Sequence, residues 1–91
     1  MSKSLTEKEI QEKLRKVPGW KRSGPEISRL YVFSEFIAAM AFVNYVADLA
    51  ETMDHHPDIL IQYRKVKLTL STHSAGGLTE LDFTLAQKID A

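Results

Sequence analysis

The sequence predicts an α+β fold in which three helices pack on one face of a four-stranded antiparallel sheet, in the order α-β-β-α-β-β-α. Three observations carry that prediction. Capped stretches with three- and four-residue apolar spacing open and close the chain, a longer Ala- and Met-rich stretch lies between them, and two pairs of short strand-like runs separate the three. At 91 residues, with 44% hydrophobic and 26% charged side chains, one core is expected, and hence a single domain over residues 1–91. So small a core favours pairing with another subunit.

The first helix is expected from Thr6 to about Val17, where Ile10, Leu14 and Val17 follow helical steps. Thr6 and Glu9 have capping-box spacing, Leu5 and Ile10 form a candidate staple, and Pro18–Gly19 supplies the stop. Ser23–Gly24–Pro25 then reads as the turn of a hairpin leading into a strand over Ile27–Phe33. In that strand Leu30 and Val32 alternate with Tyr31 and Phe33, so neither face is plainly solvent. A second helix, capped by Ser34, is expected to run through about Met53. Phe36, Met40, Val43 and Ala47 form one apolar row and Phe42, Val46, Leu49 and Met53 another, with Asn44, Asp48, Glu51 and Thr52 on the polar side. Pro57 breaks the pattern, and Ile59–Tyr63 and Val66–Ser71 read as strands joined around Arg64–Lys65. The alternation of Val66, Leu68 and Leu70 with Lys67, Thr69 and Ser71 is the clearest strand signal in the chain. After the permissive His73–Gly77 junction, Thr79 caps a final helix, with Asp82 at the third position and Leu78 and Phe83 as a staple.

Composition excludes several function classes. Twelve basic residues balance twelve acidic ones, so there is no bulk electrostatic case for nucleic acid or an anionic membrane. The charge divides along the chain, from a net +3 over residues 1–45 to −3 over residues 46–91, and all three histidines fall in the acidic half. The absence of cysteine removes thiolate catalysis, disulfides and cysteine-held metal clusters, and it permits a cytoplasmic location. The longest obvious apolar run, Phe36–Val43, is far short of a membrane span. Ser74–Gly77 lacks the lysine of a phosphate loop, and no dinucleotide fingerprint or EF-hand is present. Lys13–Lys16 with Lys21–Arg22 read as a solvated helix end.

The chemical signal lies around Glu51, Asp54, His55, His56 and Asp58, with His73 at the end of the following hairpin. An antiparallel return can bring His73 back toward the histidine pair, and imidazoles both donate and accept protons near neutrality. The competing readings are local structure, with His55–His56 punctuating a helix end, and a metal site built from two histidines with Glu51 or Asp54. Asp82 reads either as a helix cap or as a carboxylate orienting a pocket; Trp20 reads either as a core anchor or as a pocket wall.

Glu51–Thr52–Met53–Asp54–His55–His56–Pro57, followed by Ser71–Thr72–His73 and Gly77–Leu78–Thr79–Glu80–Leu81–Asp82, resembles the pattern of the pterin-4a-carbinolamine dehydratases. The likeness spans nearly the whole chain, including Pro18–Gly19–Trp20, and Ile59–Leu60 departs from the aromatic residues often found there in animal relatives. The resemblance implies a homodimer or homotetramer that dehydrates 4a-hydroxytetrahydropterin to quinonoid dihydropterin and water, with no metal and no organic cofactor. It implies His55, His56 and His73 as the main active-site residues, with Trp20, Glu51, Asp54 and Asp82 lining or organising the pocket. Within that scheme His55 is the acid toward the hydroxyl, His73 the base, and His56 the group that positions the pterin, with a share in proton transfer left open to it. A functional link to an aromatic-amino-acid hydroxylase is implied as well. The competing function is a noncatalytic dimerisation or transcription-partner module, a second role that some animal members have.

Overall fold

A computed structural model describes residues 3–91. Helix α1 (Glu7–Leu14) begins in the expected capping box: the Thr6 N–H donates to Glu9 Oε1 at 2.8 Å and the Glu9 N–H donates to Thr6 Oγ1 at 3.2 Å. It ends three residues before the expected Val17. The N–H groups of Lys16 and Val17 bond back three residues, to Lys13 and Leu14, tightening the chain ahead of Pro18, which disfavours helix at the residue before it. Val17 is nonetheless buried, so its apolar spacing reported burial rather than helix.

Strands β1 (Lys21–Ser23) and β2 (Glu26–Val32) form the predicted hairpin, closed by the Ser23 and Glu26 pair around Gly24, whose φ of +58° suits glycine. Strands β3 (Asp58–Gln62) and β4 (Lys65–Leu70) form the second. Their turn is Tyr63–Arg64 rather than Arg64–Lys65, because Lys65 already pairs with Gln62 on one side and Val32 on the other. All pairings are antiparallel and the strand order is β1-β2-β4-β3.

Register decides the two faces. Ile27, Arg29 and Tyr31 align with Leu70, Leu68 and Val66, and Ile59 lies across from Leu68; this set faces the helices, with Ile27, Val66, Leu68 and Leu70 wholly buried. The other face carries Leu30, Val32, Leu60, Lys65 and Lys67, where Leu30 is 54% and Val32 62% exposed. The alternation in β2 thus resolves with its aromatic side toward the core and its aliphatic side open.

Helix α2 (Phe36–Met53) is capped at Glu35, not Ser34, with no side-chain capping bond. Phe33 still donates its N–H to Arg64 in the sheet, and Glu35 makes the turn-in with an extended backbone while its carbonyl accepts from Ala39, which leaves Ser34 a residue too early. Its buried stripe is Ala39, Val46 and Ala50, flanked by Phe42, Val43, Leu49 and Met53; Phe36 and Ala47 of the expected row are exposed. The small alanines let the helix approach β4 and the last helix, α3 (Glu80–Ile89). With 18 residues and a mean hydropathy of 1.3, α2 is long and apolar enough to cross a bilayer, yet it is one layer of this fold. Ala39, Val46 and Ala50 are buried, and its outer side is exposed.

Candidate active site

Four of the candidate residues are delivered by the C-terminus of α2. Asp54 ends the helix in the left-handed region (φ 51°, ψ 43°), and the His55 N–H donates to the carbonyl of Ala50 at 3.0 Å, the six-to-one bond of a Schellman-type ending. Aspartate tolerates this conformation better than most residues with a side chain, and Pro57 prevents any continuation. The reversal separates the adjacent imidazoles: His55 is 9% exposed, whereas His56 lies on the surface.

Inside, His55 Nε2 lies 2.6 Å from Oδ1 of Asp82, which is completely buried. Asp82 reached that position as the third residue of α3, where its Oδ2 accepts the Thr79 N–H at 2.9 Å and completes the capping box. The two readings of Asp82 as cap and as pocket carboxylate are therefore compatible, one on each oxygen. Oδ2 also accepts from the Thr72 hydroxyl at 2.9 Å, and Thr72 is 2.8 Å from the Thr79 hydroxyl. Outside, His56 Nε2 lies 2.6 Å from Oε2 of Glu51, with both side chains exposed.

His73 directly follows Thr72, so the carboxylate that holds His55 also anchors the residue beside His73. It opens a short 3-10 turn, His73–Ala75, pinched at its base by the bridge between Thr72 and Gly77, and its side chain is exposed. Asp54 contributes through its backbone turn, with its side chain exposed.

The structure does not bring Trp20 to this cluster. Its indole is buried, and Nε1 donates to Asp90 Oδ2 at 2.8 Å, eight residues along α3 from Asp82 and so about 12 Å away at helical rise. Asp90 also accepts from Arg29 (2.9 Å) and the Tyr31 hydroxyl (2.5 Å), which makes this end of α3 a clamp on the sheet. The core-anchor reading of Trp20 is the one this geometry supports. Among the described residues, no group of three or more His, Asp or Glu side chains is placed to hold a metal ion.

Thr72 and Thr79 were missed as members of the site. The signal was present for Thr72: continuing the inward alternation of Val66, Leu68 and Leu70 by one step puts a hydroxyl at a core-facing position.

The sequence profile of the family described as "Pterin 4 alpha carbinolamine dehydratase" matches residues 3–91. The chain belongs to this family. A family member from Acidobacterium capsulatum is 59% identical over 87 residues, covering 96% of this chain and 95% of its own. One from Sulfurisphaera tokodaii is 50% identical over 88 residues, covering 97% and 95%. The crystal structure of a transcriptional coactivator/pterin dehydratase from Brucella melitensis superposes with a TM-score of 0.91 at 40% identity, covering 96% of this chain and 95% of that one. A pterin dehydratase-like protein that is a RuBisCO assembly factor in the alpha-carboxysome shares the fold alone, with a TM-score of 0.63 at 24% identity over 78% of this chain and 82% of that one. Membership in an enzyme family of pterin dehydratases gives the His–Asp cluster a chemical context.

Proposed function

We propose that the chain dehydrates 4a-hydroxytetrahydropterin to quinonoid dihydropterin and water by histidine acid-base catalysis, without a metal or organic cofactor. The observation that supports this best is the buried pairing of His55 with Asp82, beside the exposed His56–Glu51 pair and the His73 turn. In the reaction the C4a–oxygen bond breaks, a proton reaches the departing hydroxyl, and a proton leaves the pterin N5. The dehydration therefore needs one acid and one base on a bound ring and no redox step.

His55 is assigned as the acid. The Asp82 carboxylate engages Nε2 and fixes the ring, which leaves Nδ1 as the atom that delivers a proton to the leaving oxygen. His73, on its exposed turn, is the base that takes the ring proton, and His56, steadied by Glu51, positions the pterin. The test is the breakdown of freshly generated 4a-carbinolamine, followed with and without the purified protein.

A second reading, a noncatalytic dimerisation or transcription-partner module, is favoured by the open apolar face with Leu30, Val32 and Leu60 and by the exposed Phe36, Ile37 and Tyr45 of α2. Assembly into a homodimer or homotetramer suits either reading. Assembly with turnover identifies the oligomeric dehydratase; assembly without turnover identifies the module.

A further inference from the structure

The hydroxyl hydrogens around Asp82 can be assigned by counting donors. Thr72 has a single hydroxyl hydrogen and gives it to Asp82 Oδ2 at 2.9 Å. Having spent it, Thr72 can only accept from the Thr79 hydroxyl, 2.8 Å away. Thr79 Oγ1 in turn accepts the N–H of Leu81, at 3.3 Å, in the first turn of α3. The Thr79 N–H also points at Oδ2, from 2.9 Å. Every donation therefore runs one way, from the start of α3 through the two threonines into the carboxylate. Asp82 is an acceptor at each of these contacts, and its remaining oxygen, Oδ1, faces His55 Nε2 at 2.6 Å. Opposite an ionised Asp82, Nε2 carries the hydrogen of this contact in the neutral ring as in the charged one.

We propose that Thr72 is a positioning residue for His55: its hydroxyl locks Asp82 so that Nε2–H of His55 stays engaged and proton exchange is confined to Nδ1. The hydrogen bonds of both threonines run to Asp82 and to each other rather than to the ring, so both act through Asp82. The bland account is that the Thr72 hydroxyl merely satisfies a buried pair. Against it, valine would fill the same core-facing volume with no polar group to satisfy, and the hydroxyl instead ends on the buried carboxylate that holds His55. The consequence for turnover rests on the dehydratase reading; the consequence for the imidazole does not.

The experiment uses the full chain, with histidine nitrogens labelled, as wild type, Thr72→Val and Thr72→Ser. Nitrogen-proton correlation spectra report which ring nitrogen of His55 carries hydrogen and how fast that hydrogen exchanges with water. The expected result is a slowly exchanging Nε2–H in wild type and Thr72→Ser, with rapid exchange in Thr72→Val. Carbinolamine turnover should fall about 10- to 100-fold in kcat for the valine variant, with KM little changed and serine restoring it, the scale of a misplaced catalytic group. A wild-type His55 with no hydrogen on Nε2 overturns the proposal even if the valine variant fails to fold. So does a folded Thr72→Val with unchanged Nε2–H protection. Absence of turnover in wild type overturns the dehydratase reading alone, since the exchange comparison still decides what Thr72 does.

Discussion

At the scale of single residues, the site depends on side chains that are small in area but specific in bonding. His73 stands on a short exposed turn and buries no large apolar surface, so His73→Ala should fold normally while turnover drops. General acid-base assistance is commonly worth about 10²- to 10⁴-fold, and a steady-state assay alongside circular dichroism checks the pairing of lost rate with kept structure. Wild-type turnover in that variant contradicts the assignment. Tyr31 carries a different prediction. Burial, and then the Asp90 carboxylate that accepts its hydroxyl, push its phenol above the ordinary value of 10.0. The unfolded chain therefore ionises first: the stabilisation is complete below pH about 10 and is lost as pH rises toward the folded value. The advantage of wild type over Tyr31→Phe in urea unfolding should narrow between about pH 9 and about pH 11. A constant advantage contradicts this.

At the scale of elements, the end of α2 is the feature on which the site's geometry turns. Asp54 holds a positive φ, so Asp54→Gly should be tolerated, whereas Asp54→Val should cost about 1–2 kcal/mol and disturb both imidazoles. Thermal unfolding of the two variants distinguishes them, and equal stabilities would show that the left-handed turn is not a constraint. The helices and strands were largely legible because their signals are local. Capping boxes at Thr6 and Thr79 and the alternation from Val66 to Leu70 are written within a few residues. The misread points are those where a neighbouring strand decides. Ser34 lost the cap because Phe33 is still bonded to the sheet, and the β3–β4 turn moved by one residue because Lys65 pairs on both sides. Within the site, motif spacing gathered Glu51, His55, His56 and Asp82, since these lie at ends of elements that meet. Trp20 went elsewhere because its partner, Asp90, is 70 residues away in sequence, a pairing no local pattern announces.

At the scale of the whole molecule, the described residues expose apolar side chains on two surfaces. The sheet's open face presents Leu30, Val32 and Leu60, while the outer side of α2 exposes Phe36, Ile37 and Tyr45. A chain of this size gains by burying such surface against a second copy, and a symmetric contact does so for both subunits at once. Sedimentation should therefore show a dimer or tetramer with concentration-dependent dissociation; a strict monomer at assay concentrations contradicts that expectation. Oligomeric state alone does not separate the enzyme from a binding module. The direct test of the account is the breakdown of 4a-carbinolamine in the presence of folded, chelator-treated protein. Acceleration above the uncatalysed rate, undiminished by metal removal, is the predicted result; breakdown at the uncatalysed rate, or activity restored only by stoichiometric metal, would contradict it.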